Sequence, residues 1–425
     1  MAFDKKRFEE IISEFTMGTE ELQRTAEAFQ REIRIGLEDA GKSSLQMLRS
    51  YAGLPTGKET GEYLALDFGG TNVRVLRIRL EGGGRFEIAG RSARPLRAEG
   101  EYDYICSEAK AEEMFDFLAG LIEEAVEGDR EKKYFLGHTF SFPSEQTNLY
   151  NARLIAWTKE FATQGVEGKV VNDLLKEALA RKGLSNVEPV AVINDTVAVL
   201  LSAAYKQEGV YIGSIYATGH NTCYLEPHAD AEGRAMILNL EAGGFDKVSR
   251  NRFDEKVDAL SERPGTQRLE KMVSGRYMGE LLGIALGSLY EMDEIDYGFT
   301  SIDMSEMLQS EGSVEGIVSK KLGKVPDMEE CRAVQCLARV IAERSARLVA
   351  ATFVGTMRQL SGEEPIKRQH IAVDGSVYEK MPGVKACMES AFLELLGEEA
   401  GKVDTVLDCG GSGLGAAIAA VVSKQ

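Results

Sequence analysis

Asp195 stands between two apolar runs, Pro189-Val190-Ala191-Val192-Ile193 before it and Val197 to Tyr205 after it. The first run reads as a buried strand and the second as a helix. Asn194-Asp195-Thr196 is then a helix N-cap at the carboxyl end of a strand, where open α/β sheets place ligands. A carboxylate in that position can satisfy free helix N–H groups, or it can take a proton from a substrate hydroxyl as a general base. Such a base contributes about 100- to 10,000-fold in rate.

A second kind of chemistry is written in glycine and threonine. Asp67-Phe68-Gly69-Gly70-Thr71-Asn72 lies between the apolar run Tyr63-Leu64-Ala65-Leu66 and the return run Val73 to Leu80, a hairpin with a Gly-rich tip. Backbone N–H groups at Gly69 and Gly70 can approach a phosphate closely, Thr71 and Asn72 add neutral donors, and Arg74 adds charge. A plain hairpin turn explains the same residues taken alone. The pattern recurs, however, about 150 residues on. There Tyr211 to Tyr216 leads into Ala217-Thr218-Gly219-His220-Asn221 and returns through Thr222 to Glu226. Two such turns predict a duplicated domain that holds a polyphosphate from both sides.

Two familiar phosphate signatures fail. Gly53-Leu54-Pro55-Thr56-Gly57-Lys58 is too short between its glycines for a P-loop, and Glu59 replaces the metal-binding hydroxyl. Gly411-Ser412-Gly413-Leu414-Gly415-Ala416 leaves too little chain for a dinucleotide βαβ unit. As a Gly-rich turn opening a helix it can still cradle a nucleotide.

The elements that must position these groups follow from periodicity. Residues 4 to about 50 read as two or three amphipathic helices with ten acidic and eight basic residues, a poor DNA-reading arm. Phe253 to about Tyr290 and Met328 to Met357 read as helical. His370 to Val373 and Thr405 to Leu407 read as short strands stopped by Asp374-Gly375-Ser376 and by Asp408-Cys409-Gly410-Gly411. A small-residue helix, Leu414 to Val422, follows.

At 425 residues, with 44% hydrophobic and 28% charged residues, two domains or one very large one are expected. The net charge of −18 opposes broad binding to nucleic acid. Six scattered cysteines, without a Cys-x-x-Cys pair, fit a reduced cytoplasm, and nothing approaches a membrane span. The four histidines form no Ser-His-Asp or metal set at recognisable spacing, so hydrolase and zinc chemistry are poorly supported. Trp157 beside Thr158 and Lys159 reads as core or as the wall of a cleft. Glu241 and Glu270 read as surface charges, or as acceptors for a polyhydroxylated sugar, whose unpaired groups penalise wrong ligands.

Taken together these residues resemble the eukaryotic-type hexokinase family, from about Tyr51 onward. Leu64 to Arg74 is similar to its first phosphate motif, and Ala217 to Asn221 to its second. Thr139-Phe140-Ser141-Phe142-Pro143 with Trp157-Thr158-Lys159-Glu160-Phe161 resembles its sugar segment, and Ile193-Asn194-Asp195-Thr196 the motif with its catalytic aspartate. Asn239-Leu240-Glu241 and Gln267-Arg268-Leu269-Glu270-Lys271-Met272 resemble its two sugar-binding glutamates, and Val373-Asp374-Gly375-Ser376 with Gly411-Ser412-Gly413 its adenosine region.

The resemblance implies an α/β fold of the actin-like ATPase (RNase H-like) type, with duplicated small and large domains and a sugar and ATP cleft between them. The small domain is expected at 62–195 plus about 412–425, the large at 1–61 plus 196–411. It implies ATP-dependent phosphorylation of the 6-hydroxyl of glucose, mannose or fructose, the entry step of glycolysis. Asp195 would be the base, with Lys159 helping to neutralise the phosphoryl group. Ser141, Phe142, Pro143, Thr158, Lys159, Asn194, Asp195, Asn221, Glu241 and Glu270 would hold the sugar. Asp67, Gly69, Gly70, Thr71, Asn72, Arg74, Thr218, Gly219, Asp374, Gly375, Ser376, Gly411, Ser412 and Gly413 would hold ATP. Mg2+ would be carried by ATP without a direct protein ligand, reached through water from Asp67 or Asp195. The expected partner is a small hexose, not nucleic acid or membrane, and the chain would act as a monomer or homodimer. The competing readings are a sugar sensor without catalysis and a filament or chaperone of the same superfamily. His138 and His220 depart from the family in replacing apolar or small residues, and His220 could give the rate a pH dependence near neutrality.

Overall fold

The computed structural model describes residues 3–229, 232–292 and 298–424. Residues 1–2, 230–231, 293–297 and 425, which the domain expectations include, lie outside the described residues. The chain divides into two compact units. One comprises Met1–Met47, Ser214–Thr222 and Leu240–Leu407; the other comprises Leu48–Gly213, Cys223–Asn239 and Asp408–Gln425.

The second of these units is built on a five-stranded sheet in the order Val187–Ile193, Tyr134–Phe140, Thr60–Phe68, Asn72–Gly82, Arg85–Pro95. The first three strands are parallel, and the last two add antiparallel through tight hairpins. Strand alternation decides what each face does. Leu64, Leu66, Phe68, Val73, Val75 and Leu136 point to one face and pack with Met114, Phe115, Leu118 and Ile122 of the helix Ala111–Ala125 and with Leu175 and Leu179 of the helix Val171–Arg181. Burying each such Leu or Phe stabilises by about 1.5–3 kcal/mol.

The opposite face is also apolar, covered by Leu414, Ala416, Ile418 and Ala420 of the helix Gly411–Val422, and it is packed more closely. A side chain on Gly137 would collide with the main chain at Ala416 of the helix Gly411–Val422, and one on Gly415 with the main chain at Ala198 of the helix Asp195–Lys206. These glycines let a strand and two helices approach at backbone distance. The last helix begins after Gly410, which is left-handed at φ +72°, and Gly411 has no room for a side chain beside the Asp408 carboxylate. Asp408 is itself buried and paired with Lys206.

The other unit is mostly helical. The N-terminal amphipathic reading holds as Lys5–Phe15 and Thr19–Glu38, with Phe15, Leu22, Ala26, Phe29 and Ile33 buried. Thr19–Glu38 lies against the 34-residue helix Met328–Ser361, at a point where Gly355 meets the Ala26 main chain. That long helix starts at a reciprocal cap between Asp327 and Glu330. Within it, Arg344 makes a bidentate pair with buried Asp254 at 2.8 and 2.7 Å. This unit also holds the second Gly-Thr turn, Ala217–Asn221, and the strands Gln369–Asp374 and Val403–Leu407. These two strands are parallel. No described helix is long and apolar enough to cross a membrane.

Gly415→Val forces two helices apart. It is expected to destabilise the protein by about 1–3 kcal/mol, read as a lower midpoint in thermal unfolding, and to disturb the start of the same helix at Ser412. An unchanged midpoint would show that this contact is not tight.

Candidate functional site

Each unit gathers its own set of the expected residues. In the unit with the five-stranded sheet, the strand Val187–Ile193 ends at Asn194, whose side chain accepts from the Thr196 N–H at 3.0 Å and caps the helix. Asp195 is therefore the first helical residue and not the cap. One of its carboxylate oxygens accepts from the Thr196 N–H at 2.8 Å, and its own N–H donates to Ser141 Oγ at 3.3 Å. The Asp195 side chain is partly buried. Burial pushes its pKa up, and nearby Asp67 adds to the rise. Lys159, the Thr196 N–H and Ser141 oppose it.

Lys159 reaches the same place from an irregular segment. Its ammonium bonds the carbonyl of Gly69, lies 3.5 Å from the carbonyl of Ser141 and sits 4.9 Å from the centre of the Phe142 ring. Desolvation lowers its pKa and the Asp195 charge raises it. Its backbone is left-handed at φ +63°, a conformation costing about 1–2 kcal/mol outside glycine. Trp157 is what holds the segment. The indole is half-buried, packed on Phe142 and Phe161 at 4.8 and 5.1 Å, and donates from Nε1 to the Thr163 carbonyl at 2.9 Å. Of its two sequence readings, packing is the one seen.

The first Gly-rich turn belongs to this cluster. Asp67 faces Arg74 across the hairpin, 3.4 Å from its guanidinium, and accepts from Ser412 Oγ at 2.8 Å. Ser412 also accepts, through its carbonyl, from Thr139 Oγ1 at 3.2 Å. The Asp67–Ser412 bond joins positions 345 residues apart, and no local pattern announces it. Neither Gly69 nor Gly70 has positive φ, and Gly70 faces open space, so these glycines leave room rather than bend the chain.

In the mostly helical unit a second cluster forms at the turn Ala217–Asn221. Asn221 Nδ2 donates to Glu241 Oε1 at 3.0 Å, and Asn221 Oδ1 accepts from the Ala242 and Thr222 N–H groups at 3.1 and 2.7 Å. Glu270 accepts from the His220 main-chain N–H at 3.1 Å. Burial raises the Glu270 pKa, against the His220 bond, Arg276 and Lys271. Glu241 and Gln267 are left-handed, at φ +53° and +50°. Gly375 is indispensable where it is, since a side chain there would strike the main chain of Tyr216. It starts the short helix Ser376–Lys380 after Asp374. Among the described residues no three His, Cys, Asp or Glu side chains assemble as a metal site.

The two unusual histidines behave otherwise than their sequence suggests. His138 is fully buried, stacked 5.9 Å from Phe68, with neither ring nitrogen hydrogen-bonded. Burial lowers its pKa to about 3. His220 is also buried, and its pKa is lowered to about 4 by desolvation, with the Ile215 carbonyl opposing. This corrects the expected pH switch near neutrality, because burial disfavours the charged ring.

Both histidines refuse a proton that the unfolded chain, with an ordinary value near 6.5, accepts. The folded pKa lies below the unfolded one, so this stability is complete above pH 6.5 and declines as pH falls from there towards 3. The loss from His138 is about 1.4 kcal/mol at pH 5.5. His138→Phe is expected to raise the unfolding midpoint and to flatten its fall between pH 6.5 and 5. An equally steep fall in the variant would refute this.

Comparison with known proteins places the chain among sugar kinases. Two family models, both described as hexokinase, match residues 7–205 and 211–422. Hexokinase-1 of Schizosaccharomyces pombe is 33% identical, over 98% of this chain and 90% of its own. A hexokinase crystal structure is similar at a TM-score of 0.90 and 33% identity, covering 99% of both chains. The hexokinase of Schistosoma mansoni, solved with glucose, is similar at a TM-score of 0.78 and 29% identity, over 98% of this chain and 99% of its own.

Proposed function

This chain belongs to the hexokinase family and phosphorylates hexose with ATP, and from that premise we propose which of its residues carry the reaction. Asp195 is the general base. The observation that supports this is its position: a partly buried carboxylate on the first turn of a helix, with a raised pKa and a lysine opposing the rise. A base of that kind takes the proton of the sugar 6-hydroxyl as the O6–P bond forms and the bond from the γ-phosphorus to the bridging oxygen breaks, releasing ADP.

Lys159 supplies positive charge to the transferring phosphoryl group. Ser141, Phe142, Pro143, Thr158, Asn194, Asn221, Glu241 and Glu270 are the proposed hexose-binding residues. Glucose, mannose and fructose are the proposed substrates, and the glucose bound to the Schistosoma mansoni relative supports the first. The nucleotide is held by the turns at Asp67 to Arg74 and at Thr218-Gly219, by Asp374-Gly375-Ser376 and by the helix start at Gly411-Ser412-Gly413.

Mg2+ arrives with ATP. The residues fit that role, because Asp67 offers a carboxylate beside the proposed phosphate turn. Bound there, it would spread the negative charge of the phosphates.

We further propose that sugar closes the protein over its substrates, which excludes water as a competing acceptor. The proposed domains for this closure are 62–195 with about 412–425, and 1–61 with 196–411, bounds that differ from those of the packing units. A reducing compartment such as the cytoplasm suits a chain with no disulfide among its described residues. A monomer or homodimer is the proposed working form.

ADP release with MgATP is expected with glucose, mannose or fructose, far above the rate without sugar, and to fall at least ~100-fold in Asp195→Ala. A folded protein that binds hexose without turnover would instead be a sensor.

The base must be ionised, so kcat/KM should fall as pH drops through the raised Asp195 pKa. In Lys159→Met the opposing charge is gone, and the acid limb of the residual activity should move to higher pH. A limb that stays in place, or moves lower, would exclude this pairing.

A further inference from the structure

The turn Ala217–Asn221 is fastened to the segment that carries Glu270 by three hydrogen bonds, and a fourth ties that segment to itself. The Gly275 N–H donates to the Ala217 carbonyl at 2.8 Å, the Arg276 N–H to the Thr218 carbonyl at 3.1 Å, and the His220 N–H to Glu270 Oε2 at 3.1 Å. The Ser274 N–H, next in the chain, donates to the Glu270 carbonyl at 2.8 Å. Space is as tight as bonding. A side chain on Gly219 would come within 3.0 Å of Glu270 Oε2, and one on Gly243 within 3.0 Å of Glu270 Cβ and 3.2 Å of the His220 carbonyl. Glu270 has one seat.

The His220 ring is the anchor of the turn. It is buried, its Nδ1 is 3.2 Å from the Ile215 carbonyl, and it meets the Tyr216 ring edge-on at 5.8 Å. A carbonyl can only accept, so Nδ1 carries the hydrogen and Nε2 is the bare nitrogen, which has no partner. Tyr216 is fixed in turn. The Ser345 hydroxyl donates to the Val273 carbonyl at 2.6 Å, so the Tyr216 hydroxyl must donate to Ser345, at 2.5 Å. Val273 ends the helix Arg268–Val273 that bears Glu270. The ring of His220 and the helix of Glu270 are thus braced through a common set of buried contacts.

We propose that His220 is a positioning residue for hexose recognition: its imidazole, held at Ile215 and Tyr216, sets the main chain of the turn so that the His220 N–H fixes the Glu270 carboxylate for the sugar hydroxyls. This rests on the kinase reading above, in which Glu270 touches the sugar. His220 touches no substrate. It acts through its main chain, and the identity of its side chain decides where that main chain lies.

Three variants of the full chain separate the possibilities. His220→Ala removes the anchor, His220→Phe keeps the aromatic packing without the hydrogen, and His220→Asn replaces Nδ1–H with an amide N–H at similar reach. Losing one buried hydrogen bond is expected to raise the glucose KM about 10-fold in the Ala and Phe variants. The ATP KM should stay within about twofold, and Asn should restore most of the glucose KM. In a Glu270→Gln background His220→Ala should add less than about twofold, because residues acting through one another are not additive. A glucose KM unchanged in Ala and Phe, an effect confined to the ATP KM, or full additivity with Glu270→Gln would each overturn the proposal. Should the Ala variant fail to fold, the Phe and Asn pair makes the same comparison, read by calorimetric glucose binding. Wild type without sugar-dependent ADP release would overturn the kinase reading and this inference with it; wild type active with indifferent variants would overturn this inference alone.

Discussion

A carboxylate at the start of a buried helix is the constraint on which much of this molecule depends. As the proposed base, Asp195 has to be drawn partly out of water and yet kept able to ionise. Removal from water raises its pKa, while the free N–H groups of a helix start and a nearby ammonium favour the charged form. For both to act, a strand must deliver Asn194 and Asp195 at its carboxyl end, Ser141 must come alongside, and Lys159 must reach in from a separate segment. The glycine contacts beneath serve that arrangement. Without side chains at Gly137 and Gly415, the helices Asp195–Lys206 and Gly411–Val422 can lie close, and Ser412 arrives beside Asp67.

The residues with left-handed backbone tell the same story of local cost held by the surroundings. Lys159, Glu241 and Gln267 are not glycine or asparagine, the residues that adopt this conformation readily. Each sits next to residues of the two clusters. In one unit the aromatic packing of Trp157 steadies the segment, and in the other Asn221 bonds both Glu241 and the Ala242 N–H. A flexible loop would relax such strain. These loops are over-determined by packing and hydrogen bonds, so they keep it.

Burial reverses the ordinary meaning of a residue type. A histidine in a Gly-rich turn reads as a titrating group, because its free pKa lies near neutrality. Once its ring is sealed against Tyr216 and the Ile215 carbonyl, desolvation leaves it neutral. What remains useful is the main-chain N–H on Glu270. His138, stacked on Phe68, follows the same rule with even fewer partners.

Hydrophobic period and turn residues are local properties, and they determined the hairpins, the strand before Asn194, the N-terminal amphipathic helices and the long helix at Met328. The order of short motifs determined the family, and with it the class of reaction. Which residue caps the helix was already less legible: Asn194-Asp195-Thr196 offers three candidates, and only backbone geometry separates Asn194 as the cap from Asp195 as the first helical residue. Tertiary structure alone decided the Asp67–Ser412 bond, the seat of Lys159 on the Gly69 and Ser141 carbonyls, and the protonation of the two histidines. These depend on distances between residues far apart in the chain and on the water each group loses when the chain closes around it, and neither quantity is carried by residue type or spacing.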